Sequence, residues 1–137
     1  MINVRLCMPY EGPRIAEWIK GKPIFDVERH GVSFDWTKEV CSWLIAEQDG
    51  KLIGVVLLLP GPPLGMFENL VLGPECSKAI KSRVVAMFLE MGYEIFRSLG
   101  CSAACCFIPD AHDAWRKMLR KRGAKVAYRG EMLVKEL

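Results

Sequence analysis

Apolar and polar residues alternate in the first part of the chain in a way that predicts three β-strands and one helix. The first strand covers residues 3–8, and a helix with apolar residues at three- and four-residue spacing begins around Pro13, which suits a first helical turn. Residues 43–47 and 52–59 form two further strands, and the Asp-Gly pair between them signals a tight hairpin. Because residues 52–59 are apolar almost throughout, we expect that strand to be covered on both faces.

The middle of the chain changes from a strand period to a helical one. Residues 22–40 are apolar without a period, which predicts a loop or a short helix, and a surface loop at residues 61–65 precedes a strand at residues 66–72. Residues 77–99 have a helical period, with Ser77 as the N-cap and the following glycine as the terminator. The apolar stripe predicted for this long helix consists of Ile80, Val84, Met87, Phe88, Met91, Ile95 and Leu99.

The last third of the chain predicts a crossover followed by a hairpin. Residues 101–108 form a buried strand rich in small residues, residues 110–123 form a helix, and residues 125–128 and 131–137 form two final strands. A strand, a helix and a second buried strand make one crossover unit. The predicted fold class is therefore α/β, a mixed α+β sheet of about six or seven strands with helices on both faces. The length suits a single domain, residues 1–137.

Composition narrows the function classes only slightly. Hydrophobic residues make up 51% and charged residues 26%, an ordinary globular balance, and a net charge of +3 allows an anionic ligand without indicating a nucleic-acid binder. The first residues lack the apolar run of a secretory signal, and the longest apolar run, residues 52–59, is too short to cross a bilayer. A soluble, cytoplasmic protein with no membrane contact is expected.

The six cysteines are expected to be free thiols buried in the core. Cys101, Cys105 and Cys106 share one predicted strand, in which successive side chains point to opposite faces. No C-x-x-C pair occurs, and both histidines lie far from the cysteine cluster in sequence, so no metal is expected. Cys76, Cys105 and Cys106 are not favoured as acyl carriers, because none has a base adjacent in sequence.

Three segments resemble the GNAT (Gcn5-related N-acetyltransferase) family, and the resemblance covers nearly the whole chain. The segments are the hairpin WLIAEQDGKLIGVV (residues 43–56), the strand-to-helix passage ENLVLGPE (residues 68–75) and the late helix RKMLRKRGAK (residues 116–125). The resemblance implies acetyl-coenzyme A as co-substrate and a primary amine, on a small molecule or a protein, as acceptor. It also implies direct attack of the amine in a ternary complex.

The same resemblance implies where the coenzyme would lie. In the family, the strand before the long helix splays from its neighbour, and the pantetheine arm bonds to that strand's backbone. On this chain, the strand residues are Asn69, Leu70, Val71 and Leu72. The pyrophosphate rests on amides at the start of the helix, which is an anion site because those N–H groups have no helical acceptor. The corresponding residues here are Ser77, Lys78, Ala79, Ile80, Lys81, Ser82 and Arg83.

This loop departs from the family pattern Q/R-x-x-G-x-G/A. Ala79 stands for the first glycine, where a helical backbone would tolerate it, and Lys81 stands for the last small residue. The Lys81 stem can fill the space that the phosphates need, or Lys78, Lys81 and Arg83 can hold the phosphates by charge. A plain solvated face is the third interpretation of these charges.

The resemblance implies Glu68 as the general base, because many family members have a glutamate at this strand position, where partial burial would raise its pKa. An ordered water as the base and a plain surface carboxylate on an alternating strand are the alternatives. The backbone N–H of Leu70 or Val71 is the predicted donor to the thioester carbonyl. The family's general-acid tyrosine corresponds to Leu119 here, and the remaining tyrosines nearby, Tyr93 and Tyr128, do not match the motif.

Two rival functions remain open at this point. A catalytically inactive binding or assembly module would explain the altered glycine loop and the missing tyrosine. A nucleic-acid binder would use a C-terminal basic run, but that run wraps more than one helix face, so nucleic acid is disfavoured as a partner. The residues of this run are Arg116, Lys117, Arg120, Lys121 and Arg122. The sequence leaves the oligomeric state open, a homodimer included.

Overall fold

The computed structural model describes residues 1–20, 22, 42–108, 113–127 and 129. The chain divides into two compact units, Met1–Cys106 and Phe107–Leu137. The first unit contains β1 (Ile2–Leu6), a short 3₁₀ turn (Pro9–Glu11), α1 (Gly12–Ile19), β2 (Trp43–Gln48), β3 (Lys51–Gly61), β4 (Leu64–Leu72), α2 (Lys78–Ser98) and β5 (Ala103–Cys106). The second unit contains α3 (Asp113–Lys121). Among these helices, none is long and apolar enough to cross a membrane.

The five strands form one mixed sheet in the order β1-β2-β3-β4-β5. Neighbours from β1 to β4 are antiparallel, whereas β4 and β5 are parallel and joined by α2 as the crossover. The predicted α/β mixed sheet is thus confirmed, with five strands in the described residues where about six or seven were predicted. The predicted strand at residues 131–137 lies outside the described residues, as does most of the 22–40 segment. Residues 125–127, predicted as strand, are described and are not in one.

One face of the sheet packs on α1. The buried cluster on this face consists of Cys7, Ile15, Ile19, Trp43, Ile45, Leu52, Val55, Leu57 and Val71. The spacing of Ile15 and Ile19 on α1 places both side chains toward the sheet, as the helical period predicts. Residues of β3 are buried on both faces, which confirms the covered strand expected from its unbroken apolar run.

Two glycines allow α2 to approach the other face of β4. A Cβ at Gly92 would lie 2.2 Å from Cε1 of Phe67, and a Cβ at Gly65 would lie 2.4 Å from Cγ of Phe96. The Phe67 ring stands edge-on to the rings of Tyr93 and Phe96, with centroids 5.6 and 5.1 Å away. The helix therefore packs closely on β4, because an aromatic ring of each element lies against a glycine of the other.

The buried face of α2 differs from the predicted apolar stripe. The buried residues of the helix are Val84, Val85, Phe88, Leu89, Gly92 and Phe96. Of the predicted stripe, only Val84 and Phe88 are among them, and Leu99 is 50% exposed. The other predicted residues, Ile80, Met87, Met91 and Ile95, are half-buried, so the buried face is displaced from the predicted stripe toward Gly92. Periodicity counts a methionine as core and a glycine as neutral, whereas here Gly92 is the point of contact.

Local signals at the ends of elements were more reliable. Ser77 caps α2, its Oγ accepting a hydrogen bond from the Ile80 N–H at 3.2 Å, and Gly100 follows the helix with a φ of 89°. The hairpin between β2 and β3 turns at Asp49 and Gly50, with φ values of 50° and 76°. All three predictions are confirmed.

Two predicted boundaries need correction. The loop predicted at residues 61–65 is a tight turn at Pro62 and Pro63, since β3 continues to Gly61 and β4 starts at Leu64. The strand predicted at residues 101–108 is shorter, Ala103–Cys106, and two of its alanines are exposed. It pairs only with β4 at the edge of the described sheet, so small residues indicated an exposed edge here and not a buried strand.

Candidate active site

β4 loses one of its two neighbours halfway along its length. β5 pairs with Leu64–Phe67 only, and the last pair joins Phe67 to Cys106. Beyond it, Glu68–Leu72 is paired with β3 on one side and with no described strand on the other. Among the residues that the structure describes, the outer edge of this second half is therefore open, and the chain continues from it toward the start of α2. We call Glu68–Leu72 the open edge.

A bulge lies at the point where the two strands part. Val55 pairs with Val71 and Leu57 pairs with Glu68, so Asn69 and Leu70 together lie opposite one β3 residue. Asn69 has a φ of 50°, a left-handed conformation that asparagine tolerates better than most residues. An extra residue of this kind bends a strand and increases its twist. The bulge thus coincides with the end of the β4–β5 pairing.

The ladder between β3 and β4 fixes which β4 amides are available. The Gly73 N–H donates to the Ile53 carbonyl oxygen at 2.8 Å, so Ile53 and Gly73 are a hydrogen-bonded pair. Antiparallel pairs alternate, and the Val71 N–H is consequently directed at β3. Val71 is therefore a poor candidate for the thioester carbonyl donor, and Leu72, the next residue, faces the open edge. Leu70, the other predicted donor, lies in the bulge, where this alternation is interrupted.

Glu68 is a half-buried carboxyl at the start of the open edge. Burial raises its pKa, and a hydrogen bond from the Asn69 backbone N–H opposes that effect only partly. The raised pKa that partial burial predicted is confirmed. A carboxyl whose pKa moves toward neutrality is better matched to accepting a proton from an amine than an ordinary surface carboxylate is.

Cys105 is the neighbour of Glu68 across the two strands. It pairs with Met66, two residues before Glu68, so all three side chains lie on one face of the sheet. Burial and the Glu68 charge both raise the pKa of the Cys105 thiol. The thiol is consequently protonated near neutral pH, which agrees with its exclusion as an acyl carrier.

The start of α2 supplies further donors. The Lys81 N–H is bonded to the Ser77 carbonyl oxygen at 2.9 Å, and the Ile80 N–H to the Ser77 hydroxyl. This leaves the first-turn amides of Lys78 and Ala79 without an acceptor within the helix, and both residues are exposed. Ala79 is helical, so its backbone meets the condition for replacing a glycine. The dipole of the 21-residue helix favours an anion at this end.

The Lys81 charge lies close to this end of the helix. Burial and the charge of Glu75 raise the pKa of the Cys76 thiol, and the Lys81 ammonium partly opposes this increase. The Lys81 side chain is partly buried, while Ser82 and Arg83 are exposed. Ser77, Lys78 and Lys81 therefore lie together in the first turn of α2, the side chain of Arg83 is exposed, and the coenzyme site stays a prediction.

Sequence reasoning missed the side chain of Asn69. Its Nδ2 atom is buried and has no hydrogen-bond partner among the described residues. The signal in the sequence is weak: an asparagine, depleted in strands, stands between a glutamate and three apolar residues. An unpaired buried amide is unusual in proteins and calls for a physical explanation.

A second polar cluster was also missed, at the far edge of the sheet. Its members are Arg5, Glu11, Arg14 and Glu47. Glu11 is 6% exposed and accepts hydrogen bonds from Arg5 at 2.7 and 2.8 Å, from Arg14 at 3.2 Å and from the Met8 N–H at 2.6 Å. We call it the N-terminal ion cluster. A surface depression of about 550 Å³ beside it runs from α1 to Glu75 and includes neither Glu68 nor Asn69.

Comparison with known structures defines the class of fold. It is the fold of the GNAT-family acetyltransferases, which confirms the resemblance predicted from the sequence. A ribosomal-protein-alanine N-acetyltransferase from Brucella melitensis biovar Abortus superposes with a TM-score of 0.68 at 16% identity, covering 100% of this chain and 99% of that one.

Two other similar structures show how widely this fold is used. An N-acetylglutamate synthase from Neisseria gonorrhoeae, complexed with coenzyme A and N-acetyl-glutamate, has a TM-score of 0.61 at 18% identity. The match covers 85% of this chain, which spans 27% of the synthase's length. A transcriptional regulator from Bacillus halodurans has a TM-score of 0.68 at 10% identity, covering 98% of this chain and 100% of that one. No protein-family model matches this chain, and no curated protein is similar to it in sequence.

Proposed function

We propose that the protein is an N-acetyltransferase that transfers the acetyl group of acetyl-coenzyme A to a primary amine of a small molecule or a protein. The observation that carries this proposal is the open edge of β4. From Glu68 to Leu72 the strand has no described neighbour on its outer side, and it leads to a helix start with two unbonded amides. Among the similar structures, the N-acetylglutamate synthase was solved with coenzyme A.

The open edge and the helix start suit two chemically different parts of the coenzyme. Backbone groups of the open edge, at Leu70 and Leu72, pair with the amides of the pantetheine arm, as an added strand would. The diphosphate lies on the Lys78 and Ala79 amides and is balanced by the charge of Lys81. This arrangement brings the thioester to the beginning of the open edge, beside Glu68.

The chain's own residues then serve the attack on the thioester. The acceptor amine attacks the acetyl carbonyl carbon, and its proton passes to Glu68, directly or through an ordered water. The Leu70 N–H donates to the carbonyl oxygen as charge develops there. The carbon–sulfur bond breaks, and the leaving thiolate takes a proton from water. Holding both reactants in place supplies about 7–11 kcal/mol in favourable cases.

A binding or assembly module without catalysis is the second candidate, and three substitutions favour it. Ala79 and Lys81 replace small residues of the family's loop, and Leu119 stands where the family has a tyrosine. Leu119 is 6% exposed, a core position of α3. The Bacillus halodurans structure, a transcriptional regulator, illustrates another use of this fold.

Melting temperatures separate the two candidates. The purified protein is heated alone, with coenzyme A and with acetyl-coenzyme A, and a ligand at one hundred times its dissociation constant should add about 2.7 kcal/mol of stability. Release of free thiol on addition of a panel of amines then tests transfer. The absence of any shift at millimolar ligand would end the enzyme proposal, and a shift without thiol release would favour the binding module.

A further inference from the structure

The side chain of Asn69 lies in the bulge at the beginning of the open edge. Asn69 follows the proposed base, Glu68, and precedes Leu70, the residue proposed to donate its backbone N–H to the thioester carbonyl. Its Nδ2 is buried without a partner among the described residues, which destabilises the folded state. A buried amide without a partner, at the point where the β4–β5 pairing ends, points to a hydrogen-bond acceptor that arrives with a ligand.

We propose that the Asn69 side-chain amide donates a hydrogen bond to the acetyl carbonyl oxygen of the donor substrate. It is then a second donor to that oxygen, beside the Leu70 backbone N–H. This inference rests on the proposed acetyltransferase function and adds a catalytic residue to it. The two donors together would hold the oxygen on which negative charge accumulates during attack.

The position of Asn69 favours the acetyl oxygen over other acceptors. Its backbone N–H lowers the pKa of Glu68 against the larger effect of burial, whereas its side-chain Nδ2 has no partner among the described residues. The acetyl carbon has to lie within reach of both the base-activated amine and the Leu70 N–H. An oxygen that gains charge in the transition state also rewards a fixed donor more than a neutral amide oxygen does.

The left-handed conformation decides which substitutions test the proposal. Glycine adopts a φ of 50° freely and aspartate tolerates it, whereas alanine there would add backbone strain. Asn69→Gly removes the side chain and keeps the bulge. Asn69→Asp keeps the size and shape of the side chain and removes its N–H donor. The two variants therefore test the same hydrogen bond in different ways.

The test compares three ligands on the wild-type protein and on both variants. They are acetyl-coenzyme A, coenzyme A, and S-ethyl coenzyme A, a thioether of the same carbon count without the carbonyl oxygen. We expect Asn69→Gly and Asn69→Asp to lower the acetyl-transfer rate by about 100-fold, the usual scale for loss of one such donor. Affinities of coenzyme A and of the thioether should stay within about twofold for Asn69→Gly, because neither ligand offers the oxygen.

Several outcomes overturn the inference. If Asn69→Gly transfers acetyl at the wild-type rate, Asn69 gives no such bond, and the proposed function survives. If the variant binds all three ligands equally weakly while melting like the wild type, Asn69 shapes the strand and does not contact the acetyl group. If the wild-type protein binds none of the three, the inference and the proposed function fall together.

Discussion

Glu11 and Glu68 are two shielded carboxyl groups of the same unit, and their surroundings shift their pKa values in opposite directions. Hydrogen bonds from Arg5, above all, lower the pKa of Glu11 from 4.5 to about 2. Burial raises the pKa of Glu68, and no cation is among the groups that shift it. Carboxyls with pKa values pushed apart by environment commonly have different tasks in one protein.

The same contrast extends to hydrogen bonding around the two carboxyls. In the N-terminal ion cluster, Glu11 is bonded to two guanidinium groups and one backbone N–H, and Glu47 is paired with the same two arginines. Beside Glu68, the Nδ2 atom of Asn69 is buried and has no hydrogen-bond partner in the part of the chain that the structure describes. A cluster whose polar groups are already hydrogen-bonded stabilises the fold and has few groups left to bind a ligand. A buried polar group without a partner costs stability but can still bind a ligand. We therefore expect the N-terminal ion cluster to serve stability and the region around Glu68 to serve function.

The largest expected effect comes from Glu68→Gln. Loss of a general base usually costs about 100- to 10,000-fold in rate, so acetyl transfer should fall by that amount while the melting temperature holds or rises. Glu90→Gln, an exposed change on α2, is the matched control and should leave the rate intact. A Glu68→Gln protein with normal turnover would show that this carboxyl is an ordinary strand residue.

Glu11→Gln should have the opposite profile. Removing one partner of a buried ion pair leaves the other charges uncompensated, which costs about 3 kcal/mol of unfolding free energy. Chemical denaturation of the variant measures this loss, with Glu17→Gln on the exposed side of α1 as control. If both variants unfold at the same denaturant concentration, the ion pairs of the cluster make no net contribution to the free energy of unfolding.

The pH dependence of stability should have opposite signs at the two carboxyls. Glu11 has a lowered folded-state pKa, so its contribution is present above pH 4.5 and is lost as pH falls toward about 2. Glu68 has a raised pKa, so its effect on stability becomes unfavourable as pH rises from 4.5 through its folded-state pKa. Unfolding free energies measured from pH 2 to 8 should lose the first dependence in Glu11→Gln and the second in Glu68→Gln. Identical profiles for all three proteins would contradict the assignment.

The smallest expected effect concerns the start of α2. If charge holds the diphosphate, Lys81→Ala should weaken coenzyme A binding by about tenfold, or 1.4 kcal/mol, and Lys81→Glu by more. Arg97→Glu, at the other end of the helix, makes a similar charge change away from the site. Tighter binding by Lys81→Ala would instead show that the lysine stem occupies phosphate space.

Short-range patterns in the sequence predicted much of the framework. The hairpin at Asp49 and Gly50 and both caps of α2 follow from residues that set their own backbone angles or bond to nearby amides. The β4–α2–β5 crossover follows from the change of hydrophobic period. The proposed base, Glu68, also came from the sequence, through resemblance to a family, and the structure supplied the burial that gives it a raised pKa.

Only the tertiary structure decided the features that give the site its chemistry. The bulge at Asn69 depends on how β4 registers against β3, and the open edge depends on where β5 stops. The N-terminal ion cluster joins Arg5 to Glu47, 42 residues apart. Periodicity and capping describe neighbours within a few positions, whereas strand register, edge position and ion pairing arise between segments that meet only in the folded chain. For that reason the sequence determined which elements form, and the packing determined which polar groups are saturated and which remain available to a ligand.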